Sequence, residues 1–180
     1  ASLVNNNIGL SYKLANGLVL KSTLGIESND YRSDGYTTSR YLYGASSASV
    51  SNNNDFSIVN ENILNYSKTL GQDHQLDVMG GFTYQKSVSK SASMSGSGFI
   101  SDAPGSDQIS GASIFGTPST GYSKWALMSY LGRLNYSFKG RYIATVSARS
   151  DGSSRYSEGN KWGFFPSAAA AWVVSEEEFL

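Results

Sequence analysis

Histidine occurs once in the 180 residues, as His74, in a short turn among Gln and Asp. One imidazole cannot build a His-based triad or a multi-His metal site within this chain, so His74 is expected to be a solvated turn residue. The acidic run Glu176-Glu177-Glu178 reads as a solvated turn or a short helix start rather than a cation site. Two carboxylate pairs, Asp102 with Asp107 and Asp30 with Asp34, have the residue types for glycoside hydrolysis. Both lie in polar stretches with no framework to hold them at catalytic distance. Ser95-Gly96-Ser97-Gly98 lacks the lysine and the spacing of a phosphate cradle. With no cysteine, disulfides, thiolate nucleophiles and thiolate metal ligands are also excluded. The expectation is a chain without catalytic residues, cofactor or metal, and not an enzyme.

One cluster of charge remains, Arg149, Asp151 and Arg155, in the stretch RYIATVSARSDGSSRY. There Tyr142, Ala144, Val146 and Ala148 alternate with Thr145, Ser147, Arg149 and Asp151. Period two marks a β-strand whose two faces meet different surroundings. The apolar face meets either a dry core or, in a transmembrane barrel, lipid, the polar face then lining a watery lumen.

The same count along the chain gives about seven strands. Residues 4–14 set Val4, Ile8, Leu10, Tyr12 and Leu14 against Asn5, Asn7, Ser11 and Lys13, and Asn16-Gly17 closes a hairpin. Residues 18–28 set Leu18, Leu20, Leu24 and Ile26 against Lys21, Thr23 and Glu27. Residues 54–66 are less clean, with Asn60 and Asn62 sharing a face with Phe56, Ile58, Leu64 and Tyr66. Further strands are expected at 75–85, at 123–137, from Tyr142 onward, and at 162–174, where Pro166 is awkward for a central strand. Two long polar stretches, about 29–53 and 86–121, read as loops.

Connections run short, long, short, long, short, medium, as in barrels with tight turns on one side and long loops on the other. Tyr136, Phe138 and Tyr142 bracket the tight turn at Lys139-Gly140, and Trp172 ends the last strand, as expected for rings at a membrane–water interface; packing across an ordinary hairpin would place them equally well. Charged residues are 16% of the chain, against roughly 25% in soluble domains. The formal net charge is zero, with 14 basic and 14 acidic residues, which argues against a nucleic-acid partner. No apolar run approaches the roughly 18 residues of a transmembrane helix. The start, ASLVNNNIGL, has no signal-peptide pattern, so an exported parent would contain this segment internally. An odd number of strands does not close a bacterial barrel. The fold expected is all-β: an antiparallel meander forming a sector of a larger transmembrane barrel.

Three stretches resemble the SusC-like (SusC/RagA-type) branch of TonB-dependent outer-membrane receptors. They are LNYSKTLGQDHQLDVMGGFTYQ (64–85), SYLGRLNYSFKGRYIATVSARSDGSSRY (129–156) and KWGFFPSAAAAWVVSEEEFL (161–180). The run Asp151-Gly152-Ser153-Ser154-Arg155-Tyr156, followed by Trp162-Gly163-Phe164-Phe165-Pro166-Ser167, is the most specific part. The resemblance implies a barrel of about 22 strands with a plugged lumen, of which residues 1–180 are a part without the plug domain. It implies the outer membrane of a Gram-negative bacterium, active import of oligosaccharides or peptides, and a SusD-like surface lipoprotein as lid. TonB would be engaged through a segment preceding this one, and the long loops at 29–53 and 86–121 would be extracellular. Carried onto this sequence, Arg149, Asp151 and Arg155 fall at the lumen-facing rim. An ion pair or loop anchor is expected there before direct substrate contact. The competing readings are a passive porin and a soluble or secreted β-sandwich that binds carbohydrate or mediates adhesion.

Overall fold

The computed structural model describes residues 1–40 and 46–177. They form one sheet, with strands β1 (Ser2–Ala15), β2 (Leu18–Thr37), β3 (Ser47–Leu70), β4 (His74–Phe99), β5 (Ala112–Phe115), β6 (Ser119–Phe138), β7 (Tyr142–Ser153) and β8 (Trp162–Trp172). Short 3-10 turns cover Gly105–Gly111 and Val174–Glu176. The strand order is β1-β2-β3-β4-β6-β7-β8, with β5 paired to β4 beside that path. Apart from β5, neighbours in sequence are neighbours in the sheet, which makes it the meander expected.

Strands occupy much of the two ranges expected to be loops. β2 runs on to Thr37, β3 starts at Ser47, β4 reaches Phe99 and β5 lies wholly inside 86–121; residues 41–45 lie outside the described residues. The physical reason is that period two shows only where the two faces meet different surroundings. In SNDYRSDGYT both faces are polar, and in SVSKSASMSGSGF a serine face opposes a mixed one of Val88, Lys90, Ala92, Met94 and Gly96, so the pattern fades while the backbone ladder continues.

Little of this sheet is sealed. Ala48, Val50 and Ala112 are the buried hydrophobic residues among those described, while Ile8, Leu10, Val146 and Phe164 are exposed. Two sheets of a sandwich would cover those side chains against each other; one sheet leaves them open. That arrangement corrects the β-sandwich reading.

Two groups of residues are compact by contact: 1–5, 26–57 and 87–124, and 6–25, 58–86 and 125–180. The first contains the buried trio. Ser46 is 1% exposed; its hydroxyl accepts from the Phe99 backbone N–H at 2.9 Å, and its carbonyl accepts from Gly98 N–H at 2.9 Å. β5 pairs alongside the end of β4 (Gly96 with Phe115, Phe99 with Ala112). The Asp102 carboxylate accepts from the Tyr36 hydroxyl at 2.6 Å and the Ser39 hydroxyl at 3.0 Å, which ties the segment after β4 to the end of β2. The Tyr36 hydroxyl, first among several donors, holds the Asp102 carboxyl below its usual range.

In the second group, β6, β7 and β8 keep an unbroken register. Leu134 pairs with Val146 and Val146 with Ala168; Arg133 pairs with Ser147 and Ser147 with Ser167. Pro166 sits opposite Ala148 without interrupting the pairing. The β1–β2 turn needs glycine at 17 twice over. Its φ is +77°, and a Cβ there would sit 2.1 Å from the Ser67 carbonyl oxygen. Asn60 and Asn62, which blur the β3 pattern, are explained by their partners. Ser22 Oγ donates to Asn62 Oδ1 at 2.7 Å, Asn62 Nδ2 to Asn60 Oδ1 at 2.7 Å, and Asn60 Nδ2 to the Thr23 carbonyl at 3.3 Å. Three polar side chains on the face of Leu20, Leu24 and Leu64 thus satisfy one another, which lowers the cost of holding them among apolar neighbours.

Candidate functional site: the rim of β6, β7 and β8

Alternation and register together sort the side chains of these three strands. Tyr130, Leu134, Tyr136, Tyr142, Ala144, Val146, Ala168, Ala170 and Trp172 share one face. Arg133, Asn135, Thr145, Ser147, Arg149 and Asp151 share the other, and Thr145 Oγ1 donates to Asn135 Oδ1 at 2.7 Å across it. Aromatic rings stand in two rows on the apolar face. Near the tight turn, Phe138, Tyr142 and Trp172 stack in series with centroids 6.3 Å apart at each step, and His74 lies 4.9 Å from Phe138. At the other end Tyr130 contacts Phe82 at 5.3 Å and Trp162 at 5.9 Å.

From Tyr142 to Ser150, the register partner of Tyr130, is about 27 Å along the strand at about 3.4 Å per residue. A tilt of about 40° brings this to roughly 20 Å of height, close to the roughly 25 Å apolar band of outer-membrane barrels. His74 belongs to the first row: its Nδ1 is 2.6 Å from the Tyr136 hydroxyl. That corrects its expected place as a solvated turn residue; the pairing crosses 62 positions of sequence.

The rim motif resolves residue by residue. Arg149 Nε donates to Asp151 Oδ1 at 2.7 Å, and Arg149 Nη2 to Ser129 Oγ at 3.3 Å. Ser129 is 3% exposed, so the pair is anchored to β6. With the Arg149 side chain half exposed, the ion pair itself adds only about 0–1 kcal/mol. Gly152 leaves room for Trp162, whose ring atoms lie 2.8 Å from where a Cβ would stand. The indole therefore crosses β7 to reach Tyr130 on β6. Ser154 pins the following turn to β6: its N–H donates to the Ala126 carbonyl at 2.9 Å, and its hydroxyl accepts from Ala126 N–H at 2.8 Å.

Arg155, grouped in sequence with Arg149 and Asp151, does not join them. Its guanidinium lies over the Trp125 ring, 4.8 Å from the centroid. Both line a cavity of about 620 Å³, together with Asp151, Tyr156, Asn160 and Phe165. Trp125 carried no sequence signal because its partner is 30 positions away, in the turn after β7.

The carboxylates weighed for hydrolysis are all engaged elsewhere, Asp107 lying 3.8 Å from the Arg32 guanidinium that it shares with Asp34. Asp34 pairs with Arg32 at 2.8 Å, Asp30 accepts from the Asn54 amide, and Asp102 holds Tyr36 and Ser39. No group of His, Cys, Asp and Glu suited to a metal occurs among the described residues.

At the opposite rim Glu177, expected to be solvated, is a hub; Glu178 lies outside the described residues. Beyond the end of β8, the Glu177 carboxylate accepts from the Tyr142 hydroxyl at 2.6 Å, from Trp172 Nε1 at 2.9 Å and from Arg141 Nη1 at 3.2 Å. These donors, Tyr142 first, hold its carboxyl below the ordinary glutamate value. A depressed folded value gives stability that is present above the unfolded value and lost as pH falls through the folded one. The Trp172 indole N–H should therefore exchange slowly at neutral pH and faster below the ordinary glutamate range. In Glu177→Gln that acid-dependent step should vanish, read by hydrogen exchange on the indole signal.

No protein-family model matches the chain. It is 33% identical over 177 residues to TonB-dependent receptor P3 of Formosa agariphila, a match covering 97% of this chain and 18% of that protein. TonB-dependent receptor P26 of the same organism is 32% identical over 185 residues, covering 98% of this chain and 19% of that protein. The chain belongs to the TonB-dependent receptor family. Within the family it is of the SusC-like branch, being 57% identical over 54 residues to SusC of Bacteroides thetaiotaomicron, 30% of this chain and 5% of that protein. The RagAB peptide transporter superposes with a TM-score of 0.90 at 22% identity over 98% of this chain and 20% of the matched chain. That likeness is one of fold, and it makes this sheet a sector of a TonB-dependent receptor barrel. The chain spans about a fifth of the length of these curated relatives.

Proposed function

We propose that this chain is barrel wall of an active importer in the outer membrane of a Gram-negative bacterium. Its apolar face meets lipid, and its polar face lines the passage for oligosaccharides or peptides too large for a diffusion pore. The observation that carries this reading is the division of β6, β7 and β8 into an exposed apolar face bounded by two aromatic rows and a polar face bearing Arg133, Ser147, Arg149 and Asp151. Passage is opened by a plug and driven through TonB, both engaged by parts of the protein other than this segment, and a SusD-like lipoprotein closes the outer mouth. Arg149 and Asp151 brace the rim through Ser129. The wall catalyses nothing and takes no cofactor; it supplies a lumen and a fixed rim.

The test is uptake by cells carrying the full-length gene. Import should stop on deletion of TonB or collapse of the proton gradient, and persist in neither case. Uptake that survives both treatments is the behaviour of a passive porin and would overturn the reading.

A further inference from the structure

Among the described residues the Arg155 guanidinium is paired with no anion, and its side chain donates no hydrogen bond there; only its backbone N–H does, to Ser153 Oγ. The carboxylate–guanidinium pair nearest in sequence is already closed, since Asp151 is taken by Arg149 at 2.7 Å. With its Cζ 4.8 Å above the Trp125 ring, the guanidinium has one face against the indole, and a planar guanidinium so placed keeps its N–H edge for a carboxylate on two parallel hydrogen bonds. The cavity beside it holds about 620 Å³ and offers an amide at Asn160, a hydroxyl at Ser153 and the Tyr156 ring, of which Tyr156 is 64% exposed. A few convergent polar groups among aromatic walls is the usual make-up of a small-molecule site.

We propose that Arg155, held on Trp125, binds the carboxylate of an acidic sugar, with Asn160, Ser153 and Tyr156 taking the hydroxyls and one face of the ring. The site thereby selects uronate-bearing oligosaccharides over neutral ones. This deepens the importer reading and rests on it for the ligand's route. The binding itself is independent of energised transport, so the two can fail separately.

The carbohydrate choice follows from the partners available. A uronate holds its carboxylate and several hydroxyls on one rigid ring, so the guanidinium, the amide and the serine hydroxyl can be met together at little entropic cost, whereas an acidic peptide carries its carboxylate on a flexible arm apart from its backbone polar groups. The connection between β7 and β8 carries Arg155 and Lys161 against Glu158, which leaves it net positive.

Calorimetric titration of the full-length receptor in detergent with trigalacturonate, galactotriose and triglutamate tests this. Trigalacturonate should bind, weaken about tenfold or more in Arg155→Gln, and recover partly in Arg155→Lys, which keeps charge but not the fork. Galactotriose should bind more weakly and equally to all three proteins, and an unchanged circular-dichroism melt shows that the variants fold. Trigalacturonate binding that is absent, or unaffected by Arg155→Gln, overturns the site. Triglutamate binding with the same Arg155 dependence, in place of trigalacturonate, overturns the sugar assignment. A melt lowered in Arg155→Gln together with lost galactotriose binding would make Arg155 a structural residue and overturn the proposal as well.

Discussion

Ala168→Arg in the full-length receptor is expected to destabilise the folded barrel by about 2–4 kcal/mol or to block its insertion into liposomes. Ala168 stands opposite Val146, which stands opposite Leu134, midway between the two aromatic rows. A guanidinium there has no lumen to enter, and the nearest girdle is several residues away. The comparison is Ser147→Glu, one position along β7 on the other face and opposite Arg133. It should unfold within about 0.5 kcal/mol of the parent, as surface substitutions do. Glutamate is the better probe than arginine at this position because a second cation beside Arg133 would add its own repulsion. Urea unfolding in liposomes reads both variants. If Ser147→Glu were the more damaging, the assignment of faces would be reversed.

Gly152→Val should cost about 1–3 kcal/mol, the penalty for forcing atoms into a packed position. The cost arises outside β7's own backbone, since the new Cβ would stand 2.8 Å from atoms of the Trp162 ring. The indole must leave, and with it goes the stack on Tyr130 at 5.9 Å. Removing the ring in advance tests that mechanism. In a Trp162→Ala background, Gly152→Val should be near neutral, which gives a double-mutant coupling of about 1 kcal/mol or more between the two positions. Additive effects would mean that the glycine serves the backbone and not the indole. The pair also explains why the two halves of the rim motif occur together: Gly152 is the space and Trp162 is what fills it.

The consequence for function is a division of labour along one short stretch. Asp151 closes on Arg149, Gly152 admits Trp162 and Ser154 holds β6, so three of four consecutive residues stiffen the rim. Arg155, next in line, is left free over Trp125. A rigid rim that presents one oriented cation is what a recognition site needs, because the guanidinium reaches the ligand with little freedom left to lose.

Strand positions, the seven-strand path and the two faces of β7 were legible in the residues themselves. Where one side of a ribbon meets lipid and the other meets water, every second residue must change character, and that writes period two into the chain. Other features were decided only by the folded sheet: how far β2, β3 and β4 extend, the existence of β5, the role of Glu177 and the separation of Arg155 from Arg149 and Asp151. In the extended strands both sides meet similar surroundings, so the ladder leaves no alternating trace. For Glu177, His74 and Arg155 the deciding partners, Tyr142, Tyr136 and Trp125, lie 30 or more positions away. Such pairs are created by strand register, a long-range property that no local spacing records.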